Sequence, residues 1–190
     1  MKVDLNRGKT FGKISELYEK ARGTYPKQLV QDIISFSEVK KDGRVLDVGC
    51  GTGQATALFA REGFQIVGLD ISEEMIKVAH EKFLSDANVS LKVGTLENLA
   101  KDEEQFDLIT SGMAWHWINP KTRYENAIRI LKPGATIAMF WSYQEKSKSN
   151  FVKKASRILD KFGGANRGPA GSSVKIIADG VFEEMKKEKT

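Results

Sequence analysis

Apolar residues recur at helical spacing over 12–21, where Ile14, Leu17, Tyr18 and Ala21 fall on one face. The same spacing returns behind Pro26, a residue suited to a first helical turn, in Leu29, Val30, Ile33 and Ile34. Asp42-Gly43 then turns the chain into Arg44–Val48, a short β-branched run that ends in glycines and gives way to a helical stretch over 54–61. The unit of strand, loop and helix repeats. Residues 65–69 read as a strand ending at Asp70, and Ser72 caps a helix with Glu73 and Glu74 at its positive end and Met75, Ile76, Ala79 and Phe83 on its buried face. Val89–Val93 is a third strand and 106–111 a fourth. A helix opening at Asn119-Pro120 carries Tyr124, Ala127, Ile128 and Leu131 and stops at Pro133-Gly134, and 135–141 is a fifth strand.

Five strands alternating with helices predict an α/β fold: a doubly wound, Rossmann-like, mostly parallel sheet covered on both faces, with its ligand crevice beyond the C-terminal strand ends. Past Tyr143 the pattern thins. A helix over 150–162 carries Phe151, Ile158, Leu159 and Phe162, a glycine-rich stretch fills 163–173, and 174–178 is the last strand-like run. The expected organisation is a helical segment over 1–40, a core over 41–143 and a basic helical segment over 144–190.

Charge follows that division. The 190 residues carry 30 Lys and Arg against 25 Asp and Glu, a net +5. Residues 1–143 hold 19 of each sign, so the excess belongs wholly to the last segment, where 11 basic residues face 6 acidic ones. A basic tail on a neutral core is weak evidence for nucleic acid. One cysteine cannot form an internal disulfide, and with two histidines far apart it makes a Cys/His metal site implausible, so no metal is expected. No stretch approaches the ~18 apolar residues that cross a bilayer, and the polar, basic N-terminus lacks an apolar signal region. These features point to a cytoplasmic protein, a monomer or homodimer, with no membrane partner.

The candidate chemistry begins at Val48-Gly49-Cys50-Gly51-Thr52-Gly53, three glycines at alternate positions between a strand and a helix. Such a loop turns tightly and lets a ligand approach the backbone. A dinucleotide fingerprint requires a further glycine or alanine where this chain has Gln54, and no Gly-Lys-Ser or Gly-Lys-Thr completes a Walker A loop.

At Leu46-Asp47-Val48-Gly49-Cys50-Gly51-Thr52-Gly53 the chain resembles the class I S-adenosylmethionine-dependent methyltransferases. The likeness continues through Gly68-Leu69-Asp70-Ile71-Ser72, Val93-Gly94-Thr95-Leu96-Glu97, Phe106-Asp107-Leu108-Ile109 and Leu131-Lys132-Pro133-Gly134-Ala135, covering roughly residues 12 to 143. Tyr18 to Pro26 and Ala114-Trp115-His116-Trp117-Ile118 are most similar to the branch that includes trans-aconitate methyltransferase. The resemblance implies S-adenosylmethionine as cofactor and S-adenosylhomocysteine as product. It implies a cofactor site of Gly49, Cys50, Gly51 and Gly53 in the loop, Asp70 on the ribose hydroxyls, and Ile71 on an adenine face. Thr95, Leu96 and Glu97 are expected at the adenine edge, although many relatives carry Asp in place of Thr95. Asp47 is expected to order the loop or reach the methionine amino group through water, and Ser111 to lie at the site from the end of strand four. In this branch residues 1–40 form a lid, with Tyr18 near the sulfonium or in the core, and Arg22 on a carboxylate or on an exposed face.

Methyl transfer is an in-line displacement at carbon, so alignment of the acceptor does most of the work. A base is needed only when the acceptor must lose a proton, and a carboxylate acceptor needs none. His116, past the fourth strand, is the candidate catalytic residue, as base or substrate-orienting group; the alternative is an aromatic wall of Trp115, His116 and Trp117. Strand four ends in Ser111-Gly112-Met113 and lacks the motif with which amino methyltransferases hold a flipped base. A small-molecule acceptor is therefore expected, ahead of a non-catalytic cofactor-binding domain or an RNA methyltransferase using the basic tail. Methyltransferases of this fold usually add a sixth and a seventh strand, and this sequence is expected to lack both.

Overall fold

The computed structural model describes residue 19 and residues 23–100 and 105–142. Apart from residue 19, the helix expected over 12–21, with Tyr18 and Arg22, lies outside the described residues, as do the helix at 150–162, the strand-like run at 174–178 and the stretch on which the expected lack of strands six and seven bears.

Helix α1, Lys27–Ser37, buries Leu29, Val30 and Ile33 and ends at Glu38 in the left-handed conformation. Strand β1, Arg44–Val48, follows the turn at Asp42. Helix α2, Gln54–Arg61, leaves the glycine loop, and β2, Gln65–Asp70, leads to α3, Glu73–Lys82. The Ser72 hydroxyl caps α3 by accepting from the Met75 amide at 3.3 Å. Strand β3, Val89–Val93, ends in a one-turn helix α4, Leu96–Leu99. Strand β4, Phe106–Gly112, runs into a 3-10 turn at Trp115–Trp117, then α5, Arg123–Ile130, and β5, Leu131–Phe140.

The sheet order is β3-β2-β1-β4-β5. β1 pairs in parallel with β2 and β4, and β2 with β3, in a register that sets Val48 beside Leu69 and Asp70 beside Val93. The order reverses at β1, so the crevice beyond the ends of β1 and β4 is the switch point at which such sheets bind ligands. Val45, Leu46, Phe106, Leu108 and Ile109 are wholly buried, as expected of central strands covered on both faces. Asp107 anchors the opposite end of the sheet, accepting from the Arg44 amide and from Lys132 Nζ, both at 2.9 Å. The boundary between two compact units falls between Met139 and Phe140, and the site described below lies in the first.

The last helix departs from expectation. Asn119 forms a turn, its carbonyl accepting from the Arg123 amide at 2.9 Å, and the helix begins at Arg123 and ends at Ile130. Ile128 is therefore not on the buried face but 49% exposed, and Asn126 takes an inward place beside Tyr124, Ala127 and Ile130. The helix ends at Ile130 and Leu131 already belongs to β5, so Pro133-Gly134, with Gly134 at a φ of 80°, falls after the helix has stopped. Among the described residues no helix is long and apolar enough to cross a membrane.

Candidate active site

The glycine loop leaves β1 bonded to the neighbouring strand: the Gly49 and Cys50 amides donate to the Leu69 carbonyl at 2.7 and 3.1 Å. Gly49, Gly51 and Gly53 all have positive φ, at 71°, 55° and 80°, where a side chain is strained. Their surroundings differ. A Cβ on Gly49 would collide with Ala114, and one on Gly53 with the Phe83 ring, whereas one on Gly51 would meet nothing within 4 Å. Two of the glycines are thus demanded by packing, and the middle one faces open space.

Asp70, at the end of β2, closes this loop from the side. One carboxylate oxygen accepts from the Gly51 amide at 2.8 Å and the other from the Ser72 amide at 2.9 Å. Burial raises its pKa, and these amide bonds oppose the shift. The Ile71 amide acts in the same direction, so of a carboxylate's about four acceptor positions backbone amides take up all but about one. The Asp70 carbonyl accepts from the Gly94 amide at 2.8 Å, which draws the segment after β3 to the same corner. Ile71 follows, half-buried.

Several expected site residues stand elsewhere or are already engaged. Asp47 is 1% exposed and accepts from Thr56 at 2.7 Å and Thr110 at 3.2 Å, tying α2 and β4 to β1 beneath the loop. Burial pushes its carboxyl up to about 6. Ser111 is fully buried and its hydroxyl donates to the Val48 carbonyl at 2.8 Å, a strand-to-strand tie, not a lining group. Thr95 caps α4 by accepting from the Asn98 amide at 3.3 Å, so its hydroxyl is committed locally. Leu96 buries its side chain, but as the first residue of α4 its amide has no partner within the helix. Glu97 accepts from the Thr122 hydroxyl at 3.2 Å. Cys50 lies buried against Gly68, and burial together with the nearby carboxylates lifts its thiol well above the usual value, which leaves it protonated and inert.

Beyond β4, the contact of Ala114 with Gly49 sets the 3-10 turn beside the loop. The three aromatic residues differ in burial. Trp115 is 2% exposed and packs on Tyr124 at a centroid distance of 5.6 Å, inside the core. His116 and Trp117 stay nearer solvent, rings 4.8 Å apart. Partial burial and the Arg123 charge hold His116 below its ordinary pKa, so at neutral pH it is an uncharged group able to accept a proton.

Residues 45–134 match the family model for a methyltransferase domain. By this match and the likenesses that follow, the chain is similar to the S-adenosylmethionine-dependent methyltransferases. An uncharacterised methyltransferase of Schizosaccharomyces pombe is 28% identical over 94% of this chain and 70% of the relative. One from Mycobacterium bovis is 27% identical over 81% of this chain but only 60% of its own length. In fold, the chain resembles a solved structure from Methanococcus maripaludis described as an S-adenosyl-L-methionine-dependent methyltransferase, with a TM-score of 0.62 and 22% identity over 100% of this chain and 84% of that one.

Gly51, Asp70 and Gly94 thus form one corner that offers open backbone at Gly51 and a carboxylate beside it, with the start of α4 next in sequence. Sequence reasoning missed Glu19, which accepts from Gln54 at 2.7 Å, and Lys82, which donates to the Thr52 carbonyl at 2.8 Å. It also missed Phe83 and Ala114 as the reasons for two of the glycines. No sequence signal links residues so distant; only the packing of α3 and the β4 exit onto the loop brings them together.

Proposed function

We propose that this chain binds S-adenosylmethionine across the C-terminal ends of β1, β2 and β4 and transfers its methyl group to a small-molecule acceptor. The reading rests above all on Asp70, whose carboxylate holds the Gly51 amide at 2.8 Å next to open space at Gly51. When bound, the cofactor supplies an activated methyl group on a sulfonium. Asp70 binds the ribose hydroxyls with charge-assisted hydrogen bonds, Ile71 packs on the adenine, and the Leu96 amide meets its edge. Gly49 and Gly53 hold the backbone in the shape that exposes Gly51.

The protein's contribution to the transfer is alignment and exclusion of water, and orientation of this kind is worth ~7–11 kcal/mol. His116, neutral at physiological pH, holds the acceptor by a hydrogen bond or takes its proton. A carboxylate acceptor arrives already ionised and uses His116 for orientation only.

The test is a titration with S-adenosylhomocysteine followed by turnover against a panel of small acceptors, reading S-adenosylhomocysteine formation. Binding with turnover supports the proposal. Binding with no turnover on any acceptor favours a non-catalytic domain, and absence of binding removes the cofactor assignment.

A further inference from the structure

An ion-paired carboxylate sits on the glycine loop with no part in the transfer itself. One oxygen of Glu19 lies 2.6 Å from Lys82 Nζ, and the other accepts from Gln54 Nε2 at 2.7 Å. Lys82 also donates to the Thr52 carbonyl at 2.8 Å. Gln54 is the first residue of α2, Lys82 the last of α3, and Thr52 lies within the loop, so Glu19 joins the end of α3 to the loop and the start of α2. The ion pair is largely shielded, with side chains 27% and 29% exposed. Burial pushes the Glu19 carboxyl up, but Lys82, Thr52 and Gln54 outweigh it and hold the group below its ordinary value.

The loop needs such support. Its three glycines carry no side chains with which to pin it, and its shape is imposed from outside: by Asp70 on Gly51, by Phe83 under Gly53, and by Lys82 on Thr52. A lysine has several freely rotating bonds, and holding its ammonium on one carbonyl costs side-chain entropy. Glu19 offsets that cost by fixing the ammonium from the far side while it steadies Gln54 at the loop's exit.

We propose that Glu19 is a positioning residue for the cofactor, acting through Lys82 and Gln54 to hold the 49–54 loop in its binding shape without touching the ligand. The inference rests on the cofactor assignment above and predicts a loss of preorganisation. Calorimetric titration of the full chain with S-adenosylhomocysteine tests it, using Glu19→Ala, Lys82→Ala, their combination, the near-isosteric Glu19→Gln, and Arg129→Met as a control from the exposed Glu125 pair on α5. Each alanine variant is expected to raise Kd about tenfold, the combination no more than the larger single change, and the control not at all. Hydrogen exchange of the 49–54 amides should quicken in Glu19→Ala without ligand. Glu19→Gln, which keeps the shape and loses the charge, should weaken binding at an unchanged melting temperature. Unchanged affinity in Glu19→Ala and Glu19→Gln, or additive effects in the pair, overturns the inference while wild-type binding stands. Failure of the wild type to bind overturns the cofactor reading instead.

Discussion

The Asp70 carboxylate and the Gly51 amide, 2.8 Å apart, join the end of β2 to the middle of the glycine loop. This one bond links the residue proposed to recognise a ribose to the loop backbone beside it. Replacing Asp70 therefore removes a ligand and loosens the loop together. Asp70→Ala is expected to weaken S-adenosylhomocysteine binding by about tenfold to a hundredfold, the range of hydrogen bonds to charged groups at ~1.5–3 kcal/mol. Calorimetry checks this, and an unaltered affinity would remove Asp70 from the site.

The three glycines separate folding from binding. Gly53→Ala places a methyl into the Phe83 ring at a φ of 80°, and the strain costs about 1–3 kcal/mol, seen as a melting temperature lower by several degrees. Gly51→Ala meets no atom and carries only the cost of its left-handed backbone, about 1–2 kcal/mol. It should nevertheless abolish cofactor binding, because the methyl projects into the open space a ligand would fill. Equal loss of binding and stability in both variants would contradict the division.

Much of this arrangement was legible in the sequence because local signals agreed. β-Branched runs bounded by glycine marked β1 and β2, Ser72 announced α3, and Asp70 stood where a strand end delivers a carboxylate to the crevice. What escaped was decided by distant partners. Trp115 stands in a row of aromatic residues, and it is Tyr124, outside that row, that supplies the contact burying it. Asp47 and Ser111 are expected at the site by position, and the structure adds that they are hydrogen-bonded to Thr56 on α2, Thr110 on β4 and the Val48 carbonyl on β1. Thr95 is the exception, since a threonine three residues before Asn98 is a local capping signal; a one-turn helix is too short for hydrophobic periodicity to reveal it.

The buried Asp47 makes a prediction about stability and pH. Its carboxyl is raised from 3.8 to about 6 by burial, against the hydrogen bonds from Thr56 and Thr110 and with the Asp70 charge adding to the rise. A folded-state pKa above the unfolded value means that the folded chain holds more protons in between, so this group's contribution falls as pH rises through that window. Asp47→Asn should flatten the pH dependence of the melting temperature between about pH 4 and 6, with the largest gain relative to wild type at neutral pH. An unchanged slope would show that Asp47 ionises normally.

His116 tests the chemistry apart from the binding. It stands beyond β4 on the turn that Ala114 packs against Gly49, clear of the contacts that hold Asp70 and the loop. His116→Ala is expected to leave the affinity for S-adenosylhomocysteine unchanged and to lower turnover by about 10²–10⁴-fold where the acceptor must lose a proton. In the wild type, burial and Arg123 depress the pKa of the imidazole, so the acid limb of the rate profile should fall below the ordinary histidine value of 6.5 and vanish in the variant. A carboxylate acceptor should lose much less turnover and show no limb from His116, since it has no proton to give up. Measuring rate against pH for both acceptor classes distinguishes a base from an orienting group, and a parallel fall in cofactor affinity would place His116 in the cofactor wall.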